Sequence, residues 1–552
     1  MRRNPRALSE QSFDLVVIGG GIVGACVARD AVTRGFSVAL IEKGDFSSGT
    51  SAASSKMIHG GLRYLAQLQL SVVRESLRER RIWQRIAPHL VHPIPFVLPV
   101  TGIRQRLEGR VGLALFDLLS WDRGKLDDPD QRLSGHEWWS ASEALERIPM
   151  LRGSGISGAG CYADCQALSP ERLCLECLTD AASEGAVIAN AIECTGVMRQ
   201  GKRVAGVAAT DSLTGEAMSI RARCVVNATG PWADELLALV EGATHAPRIT
   251  RSKGAHIVVR QLASRYALTL RYRGRHAFVI PWRDHTLIGT TDTPYHGSPD
   301  DVQPNEEDIQ ALLDIVNAGM PAAALTFADV RYAYAGLRPL VADDGRPSYY
   351  VSRRAEIVDH GQNGGLVGLV SALGGKWTTA RHVAEQCVAV VAGILGAADR
   401  PCVTRDRPLP GGDVGLLRAF RARAHSTGAG VTSETLDHLI DLYGARYLDV
   451  IAAARDDQSL LSPIASTVPD IGAQVLYAVR EEQALHLLDV LLRRTGLGTL
   501  GAPSADVVDR VSAIMAAALQ WSESELARER GAVATHYRNA VAAVTADNRL
   551  AR

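Results

Sequence analysis

A short apolar run, residues 13–18, leads without a break into Gly19-Gly20-Gly21-Ile22-Val23-Gly24. Such a run reads as a buried parallel strand. Ile22, Val23, Cys26, Val27 and Val32 then recur with helical spacing over 22–33, and Gly35 stands where a helix stops. A second strand over 37–41 ends at Glu42. Strand, glycines, helix, strand and acidic end in this register make a dinucleotide-binding βαβ unit. Gly19 permits the tight turn, Gly21 lets the backbone approach a pyrophosphate, and Gly24 lets the helix pack on the strand. The helix N-terminus offers unpaired N–H groups to phosphate. Glu42, 18 residues past Gly24, suits the hydroxyls of an adenosine ribose and disfavours a 2′-phosphate.

The chain has 552 residues, enough for roughly three or four domains at about 150 residues each. With 46% apolar and 22% charged residues, disorder, collagen and a polytopic membrane protein are excluded. Lys plus Arg equals Asp plus Glu at 60, which argues against nucleic acid as a partner. Only six of the basic residues are lysines, and Lys56, Lys253 and Lys376 among them fall inside motifs. The nine cysteines, an odd number with no secretory segment ahead of them, suit a reduced, cytoplasmic protein. Cys161, Cys165, Cys174 and Cys177 crowd together, but eight residues between the pairs is short for a zinc ribbon; they are expected to be buried, and no metal is expected. The uncharged stretch 86–103 carries four prolines and cannot be a spanning helix.

Further along, 47–61 is a Ser- and Gly-rich loop, and 69–86 is an amphipathic, Arg-rich helix that the proline-rich stretch 88–99 ends. Strands are expected over 187–195, 203–210 and 217–221, with Asp211–Gly215 as the hairpin turn between the last two. Buried strands follow over 224–228, 255–260, 277–281, 286–290 and 366–371. From about 405 the pattern turns Ala-, Leu- and Arg-rich with helical periodicity, as in 485–493 and 505–521.

Two downstream segments bear on which dinucleotide is bound. Asn227-Ala228-Thr229-Gly230-Pro231-Trp232 ends a strand, as in two-dinucleotide-type flavoproteins, and Gly374-Gly375-Lys376-Trp377-Thr378-Thr379 opens a helix whose dipole favours negative charge. Three distant segments converging on one long cofactor favour FAD over NAD. Ser54-Ser55-Lys56-Met57-Ile58-His59-Gly60-Gly61-Leu62-Arg63-Tyr64-Leu65 then resembles the signature of the FAD-dependent glycerol-3-phosphate dehydrogenases. The likeness continues through Ala87–Leu90, Lys253-Gly254-Ala255-His256, Ile288–Asp292, Gly336-Leu337-Arg338-Pro339-Leu340 and Arg493-Arg494-Thr495, in order over nearly the whole chain. Tyr162–Pro170 departs from the best-known bacterial enzymes and marks a divergent bacterial branch.

The resemblance implies an α/β protein with a two-dinucleotide-type Rossmann-like FAD domain (1–70, 151–245 and 336–400), a mixed-sheet substrate domain (71–150 and 246–335) and an all-α C-terminal domain (401–552). It implies oxidation of sn-glycerol 3-phosphate to dihydroxyacetone phosphate by hydride transfer to flavin N5, with electrons passing to a quinone. Open alternatives are an oxidase using oxygen, a glycine-oxidase-like amine oxidase and a flavin-binding protein without turnover. Arg63, Tyr64, Thr291, Arg338 and Arg353 (or its neighbour Arg354) fall at substrate positions. Arginine suits a phosphate because its fork makes paired hydrogen bonds. His256 is the leading base, with His59 as rival, and Lys376 and Arg338 stand with it as catalytic. Thr50, Ser54, Ser55, His59, Gly230, Gly375, Lys376 and Thr378 join Gly19, Gly21, Gly24 and Glu42 on the cofactor. The partners implied are glycerol 3-phosphate, a quinone, a second copy of the chain and the cytoplasmic face of the inner membrane. Two placements are open for 69–86 and 102–119: on lipid, or against the body of the protein.

Overall fold

The structure is a computed structural model describing residues 1–240, 248–341, 354–362 and 365–545. The chain is α/β, built on two sheets and a helical C-terminal part. The first sheet runs Ala355–Asp359, Leu369–Gly374, Ala217–Asn227, Ser12–Ile18, Val38–Ile41 and Val187–Ala189. Ser12–Ile18 lies at its centre, parallel to Val38–Ile41 and to Ala217–Asn227. All four residues of Val38–Ile41 are buried, which is why the run shows no alternation. Ile22–Thr33 follows Ser12–Ile18 as the glycines require and shares one apolar core with Pro170–Ser183 and Ala380–Ile394. Arg29 and Asp180, paired at 2.6 Å, pin two of those helices together where neither charge meets water. Cys165, Cys174 and Cys177 are buried in this core.

Two expected strands are divided differently. The run 187–195 breaks at Ala191, whose φ of 53° turns the chain; Val187–Ala189 joins the parallel sheet and Ile192–Gln200 starts a hairpin meander. The segments 217–221 and 224–228 are one strand, Ala217–Asn227. Its first half pairs antiparallel with Arg203–Asp211 and its second half parallel with Ser12–Ile18, so its hydrophobic pattern changes midway.

The second sheet has ten strands, running from Thr293–Tyr295 through Ile249–Arg260, His285–Gly289, Arg275–Trp282, Ala267–Tyr272, Val91–Val100 and Gly158–Ala167 to Met57–Ile58; Tyr332–Val341 flanks Ile249–Arg260. Val91–Val100 is the proline-rich stretch. Pro93, Pro95 and Pro99 are two or four residues apart, and the neighbouring Leu90 and Val100 carbonyls accept from the Gly158–Ala167 side. The missing proline donors therefore all face away from that partner, and the ladder survives. Met57–Ile58 and Gly158–Ala167, inside the stretches expected for the FAD domain, pair in this second sheet. Glu306–Gly319 covers its outer face.

Leu70–Ile86 packs into the body: Val73, Trp83 and Ile86 are fully buried, and Arg80 is paired inside with Asp164. Ile103–Leu119 packs by one face only, through the buried Leu113 and Phe116. Ile103, Leu107, Val111 and Leu118 project outward, with Ile103 89% exposed. No helix among the described residues is long and apolar enough to cross a membrane. The helical part, from Leu417–Thr427 to Glu523–Thr545, is tied to the first sheet by Asp45, which takes a two-point hydrogen bond from Arg494 at 2.7 and 2.9 Å and a further bond from Arg493. These two arginines hold the Asp45 carboxyl down to about 2.

Candidate functional site

One cavity of about 1170 Å³ runs from the βαβ turn, between the two sheets, to the C-terminal helix. Its nucleotide end is made of backbone. Gly19 holds φ +107°, and a Cβ on Gly24 would lie 1.9 Å from the Gly19 carbonyl oxygen, so the helix sits flush on the turn. Gly21 is the N-cap of Ile22–Thr33 and brings no side chain to it, while Ser51 Oγ accepts from the Ile22 N–H at 2.9 Å. Glu42 accepts from the Gly20 and Gly44 N–H groups at 2.7 and 2.8 Å, and burial pushes its carboxyl up. Trp232 and Gly230 (φ +58°) line the same end. Across its mouth Asp300 pairs with Lys43 at 2.7 Å and accepts from the Trp232 indole at 3.1 Å, while the Lys43 ammonium lies 4.6 Å over that indole.

The loop 47–55 forms the middle. Thr50 donates to the Leu337 carbonyl at 2.6 Å, Trp377 donates to the Ser51 carbonyl, and Tyr334 donates to the Ser54 carbonyl at 2.7 Å. Ser54 Oγ accepts from the Lys56 N–H. A Cβ on Gly336 would meet Ala53 at 2.6 Å, so the loop lies hard against the Tyr332–Val341 strand. Gly375, at φ +88°, continues the lining. A long two-headed cofactor fits this run of glycine turns, helix N-terminus and backbone-anchored carboxylate.

The far end is made of side chains. His256, on Ile249–Arg260, shares a 2.8 Å hydrogen bond with Ser55 Oγ, and its ring stacks on Tyr334 at 5.0 Å. Gly289 makes room, since a Cβ there would touch the imidazole at 2.1 Å. Burial, then Arg338 and Lys56, push His256 down to about 3, so the imidazole is neutral. Its Nδ1 is buried and has no hydrogen-bond partner among the described residues. Arg338 reaches across Gly254 and donates to Thr290 Oγ1 at 2.7 Å and the Thr291 carbonyl at 3.0 Å. Arg63 lies 4.9 Å over the Tyr64 ring, donates to the Tyr64 hydroxyl at 3.2 Å, and contacts His276 Nε2 at 3.2 Å. The Lys376 ammonium sits 4.8 Å over the same Tyr64 ring and donates to Ser76. His59 lines the cavity beside Phe278; burial, Lys376 and Arg63 hold it down to about 3.

Thr378 and Thr291 stand back from the cavity. The Thr378 hydroxyl bonds the His59 backbone, and that of Thr291 donates to Asp308 at 3.1 Å and accepts from the Ala255 N–H. Thr290 takes the lining position instead. Arg353 lies outside the described residues, and its neighbour Arg354 is exposed. His276, Tyr334 and Thr290 were not singled out from the sequence. His276 and Phe278 alternate with buried Ala277 and Val279, so extending the expected 277–281 strand by one residue would have put His276 on the cavity side. The C-terminal helix supplies His536, bonded to the Tyr332 hydroxyl at 2.9 Å, so the helical part closes the cavity.

Comparison with known proteins now bears on this geometry. The family described as FAD dependent oxidoreductase matches residues 14–381, and the C-terminal domain of alpha-glycerophosphate oxidase matches 402–526. The chain is 37% identical over 510 residues to a glycerol-3-phosphate dehydrogenase of Synechocystis, covering 90% of each. It is 37% identical over 530 residues to glycerol-3-phosphate dehydrogenase 2 of Mycobacterium tuberculosis, covering 95% of this chain and 88% of the relative. The crystal structure of the Bacillus halodurans glycerol-3-phosphate dehydrogenase complexed with FAD superposes with a TM-score of 0.78 at 30% identity, over 97% of this chain and 96% of that one.

Proposed function

This chain belongs to the FAD-dependent oxidoreductase family, among its glycerol-3-phosphate dehydrogenases, and on that premise we propose how its residues oxidise sn-glycerol 3-phosphate to dihydroxyacetone phosphate. The observation that carries the reading is the meeting of Arg63, Arg338 and Lys376 with a neutral His256 in one cavity. Gly19, Gly21, Glu42, Thr50, Ser54, Ser55, His59, Gly230, Gly375 and Lys376 would hold FAD, with Gly24 seating the helix behind the turn. When bound, it supplies the two-electron acceptor, N5, for the hydride leaving C2.

Arg63 and Arg338 receive the phosphate, whose charge and shape suit arginine's planar fork. Their stacking and hydrogen bonds set the fork directions before substrate arrives, which lowers the ordering cost. His256 takes the proton from the C2 hydroxyl. In the resting site its basicity is suppressed by burial and by Arg338. A bound phosphate offsets the Arg338 part of that suppression, while burial, the larger part, stays. Ser55 holds the ring in place. Lys376, fixed by Ser76 and Tyr64, puts positive charge where negative charge develops.

The electron acceptor proposed is a quinone. The solvent-facing row of Ile103, Leu107, Val111 and Leu118 supports contact with a membrane surface, with Arg104, Arg106 and Arg110 beside it to meet anionic headgroups. The cytoplasmic face of the inner membrane is the site that this implies.

The test is anaerobic mixing of FAD-loaded protein with glycerol 3-phosphate while oxidised-flavin absorbance is followed. The expected result is rapid bleaching, with re-oxidation faster by a soluble quinone than by oxygen. Bleaching by an amine or another polyol phosphate and not by glycerol 3-phosphate would overturn the substrate; faster re-oxidation by oxygen would overturn the quinone.

A further inference from the structure

We propose that His276 is a positioning residue for the substrate phosphate: it accepts a hydrogen bond from Arg63 and, with the Tyr64 hydroxyl, fixes the plane of that guanidinium. The inference rests on the reading of Arg63 as a phosphate ligand.

Arg63 Nη1 and His276 Nε2 lie 3.2 Å apart. A guanidinium has five donors and no acceptor. The imidazole must therefore offer its Nε2 lone pair, which places the ring proton on Nδ1 and forbids the imidazolium form. The surroundings enforce this. Arg63 faces the ring from the Leu62–Gln67 turn, Arg271 from directly across the hairpin, and Arg338 from the Tyr332–Val341 strand, against the carboxylate of Asp292. With burial, these three arginines push His276 down to about 4. A histidine among cations is a dependable acceptor at neutral pH, where a carboxylate would have paired with Arg63 and competed with the phosphate for its charge.

The second constraint on Arg63 comes from Tyr64. The guanidinium lies 4.9 Å over the Tyr64 ring, and Nη2 donates to the phenol oxygen at 3.2 Å. One acceptor alone would leave the fork free to swing about that bond; acceptors on both Nη atoms fix its plane. His276 is itself located by the strand Arg275–Trp282, whose Phe278 packs edge-on against it at 6.5 Å.

The experiment compares the wild type with His276→Gln, which keeps an acceptor near the Nε2 position, and His276→Leu, which keeps bulk without one. Each is FAD-loaded and mixed anaerobically with glycerol 3-phosphate, and with unphosphorylated glycerol. His276→Leu is expected to raise the half-saturating glycerol 3-phosphate concentration about tenfold, with the saturated bleaching rate within about twofold. His276→Gln should return affinity to within about threefold, and the three proteins should treat glycerol alike. Unchanged affinity in His276→Leu, or an equal loss in both variants, overturns the positioning role. So does an equal loss toward glycerol, because the effect would not be on the phosphate. If His276→Leu does not fold, His276→Ala takes its place: a loss of about tenfold toward glycerol 3-phosphate that His276→Gln does not share supports the role, and unchanged affinity overturns it. A wild type that glycerol 3-phosphate does not bleach refutes the functional reading and is distinguishable from all of these.

Discussion

The nucleotide end of the cavity and its reactive end are built in opposite ways. The first uses backbone: a turn at Gly19, a helix N-terminus at Ile22, and a carboxylate, Glu42, anchored by two N–H groups. The second uses side chains: Arg63, Arg338, Lys376, His256 and His276, brought from distant segments by strands and turns. A backbone site costs little side-chain entropy but admits no substitution, since the groups that bind are the fold itself. A side-chain site needs every member braced by a neighbour, as Tyr64 braces Arg63 and Ser76 braces Lys376.

The largest effect should come from attacking the backbone end. Gly24→Val has nowhere to place its side chain, with Cβ 1.9 Å from the Gly19 carbonyl. The variant should purify without flavin or not fold, seen as a lost flavin absorbance band. Flavin retained at wild-type stoichiometry would break the comparison.

Acid should separate the ends next. His256 at the reactive end, and His89 packed against Gly411 and Gly444, are both buried and held near 3, against about 6.5 in an unfolded chain. Folded pKa values below unfolded ones mean that the unfolded state binds more protons between about pH 6.5 and 3. Stability should be full above that window and fall by about 1.4 kcal/mol per pH unit for each imidazole inside it. Glu42 is shifted the other way, so at the nucleotide end acid carries no such penalty. Melting temperature measured from pH 7 to 5 should drop, and His89→Gln should reduce the slope. A flat profile would contradict the neutral, buried placement.

The smallest effect belongs to the rim of the nucleotide end. Lys43→Ala removes an exposed ion pair and its contact with Trp232. FAD dissociation, followed by flavin fluorescence, should speed up about two- to fivefold. A hundredfold change would mean that side chains hold the cofactor after all.

The same contrast explains what could be read in advance. The βαβ unit is contiguous, so its strand, glycines and Glu42 were visible together in residues 13–42. Ile22–Thr33 matched the expected helix at both ends because Gly21 and Gly35 bound it. At the reactive end the residues came from the family resemblance, which cannot show which threonine faces inward; Thr290 does, and Thr291 is spent on Asp308. His276 was missed because the expected strand stopped one residue short of it, and its hydrogen bond to Arg63 spans 213 positions. The strand Val91–Val100 was missed for a related reason: its prolines look like strand breakers until the partner on one side is known.

The most direct test of the account is an anaerobic glycerol 3-phosphate titration of the Arg63→Met, Arg338→Met double variant. The account predicts a full complement of FAD and no bleaching at millimolar substrate, because neither arginine is among the residues that would hold the cofactor and both would receive the phosphate. Bleaching with wild-type affinity, or loss of FAD from the variant, would contradict it.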